Sequence, residues 1–385
     1  MEVKKKKKIV MIVEAMLGGI RQHIFDIIEN LDKERYEIYI IYSGLRADKT
    51  FVKDRSEWKN YAKLIQCNTM KRSIGKDDYL AYKIIVKMLK KIQPDIVHCH
   101  SSKAGLVGRL AARKCNVPLI IYTPNAYIFQ SPELSLFRKM PYIVVERFLS
   151  RYATSVTINV SKGEMLLARK YKIDKPEKFT LIYNGIPKKE LINKKQMREE
   201  LGLDENKYYV GVTARCEHQK DPYTFLKIAE AVVHLYEEIE FVYIGDGVMQ
   251  AEMCDWINEH ELNSKIHMLG FRVDAAFIVG ALDIYLSTAL YEGLPYSMIE
   301  AMRAGVPIIA TDTVGNNELV FEGINGRMFK IRDVSKACEL IIEQYKNQYI
   351  KTQDVKRTFE KRFSTENMME NLNKIYDDGS HGNIL

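Results

Sequence analysis

The chain has 385 residues, of which 46% are hydrophobic and 28% are charged, and its formal net charge is +8. This length is enough for two domains, and the composition is typical of a globular protein and not of a disordered one. No run of about 18 apolar residues occurs, so the sequence predicts no membrane-spanning helix.

The positive charge is concentrated in the first half of the chain. Residues 1–185 contain 35 Lys and Arg against 18 Asp and Glu, whereas residues 186–385 contain 23 against 32. A cationic body favours an anionic partner, and nucleic acid, anionic lipid and a lipid-linked pyrophosphate all satisfy that description. The six cysteines show neither CxxC nor zinc spacing, which is typical of thiols in a reducing compartment.

The first predicted element is a short strand from Ile9 to Val13, which follows a lysine-rich leader. Glu14 interrupts its apolar run too early for a signal peptide, so we expect a buried parallel strand and no export signal. Gly18-Gly19 separate this strand from a helical pattern that begins at Ile20. Glycines at such a position let a helix start approach a phosphate or a sugar.

Strand and helix patterns alternate through the rest of the first half. The predicted strands are 36–42, 95–100, 118–122, 155–160 and 179–183, and the predicted helices are 79–91 and 104–114. Residues 43–76 are polar, and irregular structure is predicted there. His98 and His100 share one face at the end of their strand, and no third ligand is suitably spaced. A hydrogen-bonding or structural role is therefore favoured over metal binding.

The segment from Phe137 to Tyr152 mixes apolar residues with four cations: Arg138, Lys139, Arg147 and Arg151. The default interpretation is a helix that packs on the core and turns a basic face to solvent. A helix that lies on a membrane surface is the alternative.

The alternation resumes after the turn at 184–187 and a lysine-rich stretch that is predicted to be a linker. The predicted strands are 208–213, 240–244, 266–269, 283–288, 307–311 and 326–329. The predicted helices are 223–236, 249–259, 275–281, one that starts at Pro295, 334–346 and 365–376. Alternation in both halves predicts an α/β fold with two doubly wound domains facing a cleft.

Two glutamates follow one predicted strand of the second domain. Glu292 lies in the loop after the strand, and Glu300 lies in the helix that comes next. Ligands bind beyond the carboxyl ends of the strands in an open parallel sheet, so both acids are placed at a candidate binding crevice. Apolar neighbours surround Glu300, and a buried carboxylate needs a partner because an unpaired charge there is costly. A sugar or ribose diol is one such partner.

Arg215 and Lys220 follow the first strand of the second domain, just before the helix start at Asp221-Pro222. A lysine at that place is unfavourable against the positive end of the helix dipole, and a bound anion would offset the cost. Arginine binds phosphate through two donors and lysine adds a point charge, so the pair suits a diphosphate; two surface cations are the alternative. No Asp-x-Asp clamp, GxSxG elbow or GxxxxGK[ST] loop is present. Fixed cations could stabilise a departing diphosphate without metal.

In combination, these segments resemble the retaining glycosyltransferases of family four. The resemblance rests on Glu292-Gly293-Leu294-Pro295 with Glu300-Ala301-Met302 (the E-x7-E signature), Gly305-Val306-Pro307, Arg215, Lys220, Gly18-Gly19, Asn184-Gly185-Ile186 and Gly245-Asp246-Gly247. It covers nearly the whole chain. It implies the GT-B architecture, in which two Rossmann-like domains face a cleft that binds a nucleotide sugar.

The resemblance also implies roles for single residues. Glu292 would hold hydroxyls of the donor sugar, and Glu300 would bind the ribose diol. The groups implied for the donor diphosphate are Arg215, Lys220 and the backbone amides of Gly293 and Leu294. An acceptor hydroxyl would attack from the side of the leaving group, and the departing phosphate would take its proton.

Residues of the first domain are also implied in the site. Gly18 and Gly19 would approach the donor from that domain. Many relatives in the family carry a histidine after the strand 118–122, where this chain has Asn125, which can hydrogen-bond but cannot become charged. The surroundings of His100 resemble those in bacterial capsule and polysaccharide transferases. The candidate catalytic residues are therefore Glu292, Asn125 and His100.

We accordingly predict a retaining, metal-independent glycosyltransferase that needs no cofactor. It would move a sugar from a nucleotide sugar, with UDP favoured, to a hydroxyl of a glycan or lipid-linked acceptor in surface polysaccharide synthesis. The predicted domains are residues 1–186 for the acceptor, 187–364 for the donor, and 365–385 as a helix that crosses back to the first domain. The predicted location is the cytoplasm, at the inner face of the cell membrane.

Two alternatives to a transferase remain. One is a GT-B nucleotide-sugar epimerase. The other is a non-enzymatic binder of an anionic surface, either nucleic acid or membrane. Nucleic acid is disfavoured because no aromatic stacking platform accompanies the cations.

Overall fold

The computed structural model describes residues 5–71, 75–131, 133–188 and 193–379. The chain divides into two compact units, one formed by Met1–Gly185 with Thr365–Leu385 and the other by Ile186–Ser364. The boundary lies between Gly185 and Ile186, one residue before the predicted position. The lysine leader and the predicted linker fall partly outside the described residues, at 1–4 and 189–192.

The first unit is built on a parallel sheet of seven strands, counted over the described residues, in the order β3-β2-β1-β4-β5-β6-β7. The strands are β1 (Lys7–Val13), β2 (Tyr36–Tyr42), β3 (Lys63–Gln66), β4 (Ile96–His100), β5 (Leu119–Thr123), β6 (Val156–Asn159) and β7 (Phe179–Leu181). β1 is central: Ile9 pairs with Ile38 of β2 on one side and Ile96 of β4 on the other. Its apolar run is buried on both faces, as a parallel strand requires.

Helices cover both faces of this sheet. They are α1 (Gly18–Asn30), α2 (Lys49–Trp58), α3 (Lys76–Ile92), α4 (Ser102–Lys114), α5 (Leu136–Ala153) and α6 (Lys162–Lys170). Apolar side chains pack in one cluster on each side of the sheet. Gly105 and Gly108 let α4 approach the sheet closely. A Cβ on Gly105 would lie 2.4 Å from the Tyr122 ring, and a Cβ on Gly108 would lie 2.7 Å from Cys99 Sγ.

The prediction of irregular structure over residues 43–76 is wrong. The segment contains α2 and β3, and its residues 72–74 lie outside the described part of the chain. Asp48 caps α2 by accepting a hydrogen bond from Phe51 N at 2.8 Å. Phe51 and Trp58 are the large buried side chains of this helix. Most of its other residues are charged or polar, so the sequence shows no clear apolar periodicity there. β3 is an edge strand whose side chains are exposed or half-buried, so it does not show an apolar run.

The second unit contains a parallel sheet with the order β10-β9-β8-β11-β12-β13, six strands within the described ranges. The strands are β8 (Tyr208–Thr213), β9 (Ile239–Ile244), β10 (Ile266–Gly270), β11 (Ile284–Ser287), β12 (Ile308–Thr311) and β13 (Gly326–Phe329). The helices are α7 (Lys194–Glu200), α8 (Pro222–Val233), α9 (Gln250–Glu259), α10 (Ala275–Ile278), α11 (Tyr296–Ala304), α12 (Asn316–Leu319), α13 (Val334–Asn347) and α14 (Thr352–Arg362). The predicted pair of doubly wound α/β domains is therefore confirmed.

Several details of the second unit differ from the prediction. α7, α12 and α14 were not predicted, and neither was α6 in the first unit. Pro295 is the N-cap of α11 and not its first helical residue. Gly305 does end α11 with a left-handed backbone at φ +78°.

The last helix, α15 (Thr365–Asp378), belongs to the first unit and not to the second. Its buried side chains join the core on the α1 side of the first sheet; they are Met368, Met369, Leu372, Ile375 and Tyr376. The Tyr376 hydroxyl lies 2.8 Å from His98 Nδ1, and Asp377 forms hydrogen bonds with Arg35 and Tyr36. Helix α15 is thus a structural part of the first unit.

Helix α5 presents an outer face that was not expected. Besides cations, that face carries exposed apolar side chains, among them Phe137 with 89% of its surface exposed. The default interpretation, a core helix with a basic outer face, is therefore incomplete. In the part of the chain that the structure describes, no helix has the length and apolar character needed to cross a membrane.

Candidate active site

The candidate donor site lies at the centre of the second sheet. Strand order reverses between β8 and β11, which are neighbours, because β9 and β10 continue to one side and β12 and β13 to the other. In open parallel sheets such a reversal opens a crevice beyond the carboxyl ends of the two strands. Lys220 lies in the loop after β8 and Glu292 in the loop after β11, so both predicted residues lie at this position.

Lys220 and Glu292 are bonded directly to each other. The Lys220 Nζ donates a hydrogen bond to Glu292 Oε1, and the two side chains keep only 17% and 11% of their surfaces exposed. Gln219 Nε2 lies 3.5 Å from the second carboxylate oxygen. The Glu292 carboxylate therefore compensates the lysine that immediately precedes the positive end of α8. Both groups line a small recess with Tyr285 and Ser297.

The loops after β8 and β11 are fastened together by residues that were not predicted. Gln219 donates from Nε2 to Tyr291 O at 2.9 Å, and its own carbonyl accepts from Leu290 N at 2.9 Å. Thr288 Oγ1 lies 2.8 Å from Lys220 O and donates across the same gap. These bonds fix the backbone on each side of the ion pair. Nothing in the local sequence identifies them, because the partners lie about seventy residues apart in the chain.

A third loop, after β12, supports Glu292 from behind. Glu292 N donates to Val314 O at 3.0 Å, and Thr313 Oγ1 donates to Leu290 O at 2.8 Å. Gly315 has φ +92°, and a Cβ there would lie 2.8 Å from the Glu292 carbonyl carbon and 2.7 Å from Gly293 O. Only glycine combines this backbone conformation with so close an approach. Gly315 is thus a positioning residue that no motif of the sequence predicts.

Glu300 lies on α11, half-buried, one helix after Glu292. Tyr285 of β11 lies near this helix. Its hydroxyl lies 2.7 Å from Ser297 Oγ and 3.2 Å from Thr213 O. Burial raises the pKa of Tyr285, and the charges of Glu292 and Glu300 raise it further. The Tyr285–Ser297 contact joins β11 to α11, the helix that carries Glu300.

Arg215 lies in the same loop as Lys220 but contacts a different acid. Its guanidinium is 2.7 Å from Glu217 Oε1, and about a third of the side chain is exposed (36%). The turn formed by Gly245 and Gly247 packs directly on this loop, since a Cβ on Gly245 would lie 1.9 Å from Ala214 O. The predicted glycine turn therefore shapes the backbone that carries Arg215.

The predicted residues of the first unit lie at the corresponding edge of the other sheet. Strand order reverses there between β1 and β4. Gly18 follows β1 with φ +52°, and its amide donates to Asp48 Oδ2 at 3.0 Å. Asn125 follows β5 with φ +53°, and its Nδ2 lies 3.4 Å from Thr123 O. Gly18 and Gly19 begin α1, so the helix starts two residues earlier than predicted.

The turn at Asn125 is held by an acid that was not predicted. Glu164 on α6 is fully buried and accepts hydrogen bonds from Ala126 N at 2.8 Å and Val160 N at 2.9 Å. Ser161 caps the same helix by accepting from Glu164 N at 3.1 Å. The Ser-x-x-Glu spacing is a helix-start signature that could have revealed both α6 and this acid.

His100 is fully buried at the end of β4. Neither of its ring nitrogens has a hydrogen-bond partner among the residues described. The His98 ring lies 4.0 Å away between centroids, and the His23 ring 5.6 Å. Burial lowers the pKa of His23 to about 4 and the pKa values of His98 and His100 well below the usual value. The rings are therefore neutral near pH 7, and contact between His100 and a substrate requires its neighbours to move.

Over the residues that the structure describes, no group of three or more His, Cys, Asp or Glu is arranged to hold a metal ion. All six cysteines are free thiols, as their spacing predicts.

Comparison with known proteins identifies both units. Residues 17–190 match the family described as Glycosyltransferase Family 4, and residues 193–362 match Glycosyl transferases group 1. A relative from Escherichia coli, UDP-Gal:alpha-D-GlcNAc-diphosphoundecaprenol alpha-1,3-galactosyltransferase, is 29% identical over 67% of this chain and 68% of its own length.

Solved structures show the same fold. The crystal structure of HepE from Anabaena, in complex with UDP and glucose, has a TM-score of 0.80 at 19% identity and covers 96% of this chain and 99% of its own. Sucrose-phosphate synthase from Thermosynechococcus elongatus has a TM-score of 0.81 at 16% identity, with coverage of 96% and 98%. The two family matches, the relatives and the two Rossmann-like units together show that this chain belongs to the glycosyltransferases with the GT-B fold.

Proposed function

We propose that this glycosyltransferase moves a sugar from a uridine nucleotide sugar to a hydroxyl group of a lipid-linked or glycan acceptor, with retention of the anomeric configuration. The observation that carries the proposal is the Lys220–Glu292 ion pair at the strand reversal of the second sheet. A cation and an acid held together there match the two ends of a sugar diphosphate. The UDP donor is supported by the name of the Escherichia coli relative and by the UDP in the HepE structure.

The proposed reaction assigns each group a separate task. The bond between the anomeric carbon and the diphosphate breaks, while a bond from the acceptor oxygen to the same carbon forms on the same face. Lys220 and Arg215 stabilise the negative charge that develops on the departing diphosphate, aided by the amides of Gly293 and Leu294. The acceptor proton passes to an oxygen of that phosphate, so no protein base is needed.

Two acids orient the donor in this proposal. Glu292 accepts hydrogen bonds from sugar hydroxyls while it remains close to Lys220, and Glu300 accepts from the ribose diol. Gly18-Gly19, Asn125 and His100 belong to the first unit and are proposed to contribute from that side. No metal or other cofactor is assigned a role.

The acceptor is proposed to be lipid-linked and met at the inner face of the cell membrane, within surface polysaccharide synthesis. The Escherichia coli relative is named for an acceptor on diphosphoundecaprenol. The excess of cations in residues 1–185 suits such an anionic, membrane-bound substrate. The family matches are to transferases, so the epimerase alternative is not favoured.

The first experiment is a thermal-shift panel of UDP, GDP and ADP sugars. A ligand that binds the folded protein raises its apparent stability by RT ln(1 + [L]/Kd), so the correct donor is expected to raise the melting temperature most. The same panel on Glu300→Gln and Lys220→Met variants should show no such rise. A rise that is unchanged in both variants would remove the site assignment.

Further measurements test the remaining parts of the proposal. NMR of the product reports whether the anomeric configuration is retained, and activity after EDTA treatment reports whether a metal is needed. Incubation with nucleotide sugar alone separates the two enzyme classes, because an epimerase changes the sugar without an acceptor whereas a transferase only hydrolyses it slowly.

A further inference from the structure

Helix α5 carries an exposed apolar stripe. Phe137, Val144, Phe148 and Tyr152 recur at spacings of four to seven residues on one face, and each has about half or more of its surface exposed. The Phe148 and Tyr152 rings stack at 5.3 Å, so the two aromatic groups form one continuous surface. Of all the described helices, α5 holds the densest group of exposed large apolar side chains. Contiguous exposed apolar surface of this kind marks an interaction site.

Only positive charge borders this stripe on the helix. Arg138, Arg147 and Arg151 lie beside it, and Arg147 and Arg151 are held by the carbonyl groups of Tyr171 and Lys172 at the end of α6. The single acid in the sequence of α5, Glu146, points away from it. Glu146 is buried and forms a two-bond pair with Arg109, at 2.7 and 2.9 Å.

The combination of charge and shape selects among possible occupants. A second copy of the chain would bring the same arginines face to face across a two-fold axis, and like charges at short range are destabilising. An anionic bilayer accepts both features: aromatic and aliphatic groups enter the boundary between headgroups and acyl chains, and arginines remain among the phosphates. We propose that the outer face of α5 is a docking surface for an anionic lipid bilayer.

This docking surface rests on the proposed function and deepens it, because a lipid-linked acceptor is presented at such a bilayer. The helix lies in the interface plane, with its apolar face about 5–10 Å deep. Its opposite face stays packed on the first unit through Ile143, Leu149 and Ala153. Docking therefore requires no rearrangement of the fold.

The experiment measures binding of the full chain to sedimented vesicles without nucleotide sugar or acceptor. One set of vesicles is phosphatidylcholine alone and the other contains roughly one-third phosphatidylglycerol. The wild-type protein should bind the second set strongly and the first set weakly. A double variant, Phe137→Ser with Phe148→Ser, should bind at least about tenfold more weakly, since two aromatic side chains no longer leave water.

A charge variant and a matched control complete the design. Arg138→Gln should weaken binding by about fivefold at low salt, with a smaller difference at high salt. Leu235→Ser with Ile324→Ser removes two exposed apolar side chains from the second unit and should leave binding unchanged. Melting temperatures confirm that each variant is folded.

Three outcomes would overturn the proposal. The first is a wild-type protein that does not sediment with anionic vesicles. The second is a double Phe variant that binds as the wild type does. The third is a wild-type dimer that dissociates in the double Phe variant, which would assign the face to a second copy. The donor panel does not depend on vesicles, so a failure here leaves the proposed function to its own test.

Discussion

Replacement of Gly315 by alanine tests whether the loop after β12 holds Glu292 in place. Gly315 has φ +92°, and a Cβ there would lie 2.8 Å from two atoms of Glu292 and 2.7 Å from Gly293 O. The left-handed backbone costs alanine about 1 kcal/mol relative to glycine. Two of the three contacts are with backbone atoms, which cannot rotate away, so overlap adds about 1–3 kcal/mol. The expected loss of folding stability is therefore about 2–4 kcal/mol.

Gly323→Ala is the matched control for this prediction. Gly323 also has a positive φ, +74°, but a Cβ added to it would have nothing within 4 Å. It should lose only the backbone cost of about 1 kcal/mol. Urea unfolding measures both losses, and calorimetric titration with the best donor measures affinity. Gly315→Ala should bind donor at least about tenfold more weakly, since relief of the overlap displaces Glu292, whereas Gly323→Ala should bind normally. Equal stability losses with normal donor affinity in both variants would refute the reasoning.

Three further predictions concern charged and buried groups. Lys220→Met should lower the rate of transfer, measured as release of nucleoside diphosphate, at least about a hundredfold. The variant removes a cation from the leaving group and breaks the ion pair with Glu292. Near-normal rates would contradict this prediction. Because burial lowers the pKa of His23 to about 4 in the folded protein, from an ordinary value of 6.5, the unfolded chain binds the proton first as pH falls. The contribution of His23 to folding stability is therefore present above pH 6.5 and is lost as the pH falls toward 4. Between pH 7.5 and pH 5, the free energy of unfolding measured in urea should fall by about 2 kcal/mol less in His23→Gln than in the wild type. Equal falls in the two proteins would contradict this prediction. Arg109→Met should cost about 3–5 kcal/mol because Glu146 is left buried and unpaired, and Arg109→Met with Glu146→Met should recover much of that loss; no recovery would show that packing matters more than charge.

The strands and the donor-site residues could be predicted from the sequence. Buried parallel strands are short apolar runs, and the site residues follow such runs. β1, β8 and β11 are such runs, and Lys220 and Glu292 follow the ends of two of them. Their direct contact was not predictable, because it depends on β8 and β11 being neighbours in the sheet. Strand order is set by packing across the whole unit, and the sequence of either loop does not encode it.

The elements that were missed have surfaces that conceal their pattern. α2 buries Phe51 and Trp58 but is otherwise mostly charged or exposed, and β3 is an edge strand without an apolar run. For α6 a usable signal existed in Ser161 and Glu164, whose spacing marks a helix start. For Gly315 no signal existed, since its importance comes from atoms of Glu292 that are close only in the folded unit.

The packing of α15 into the first unit has a consequence for biosynthesis. Its five buried side chains, from Met368 to Tyr376, belong to the same core as β1, which is synthesised more than 350 residues earlier. Translation must pass through the entire second unit before these side chains exist. The core of the first unit therefore stays incomplete until α15 has been synthesised, whereas the second unit is contiguous in the chain and can fold before that.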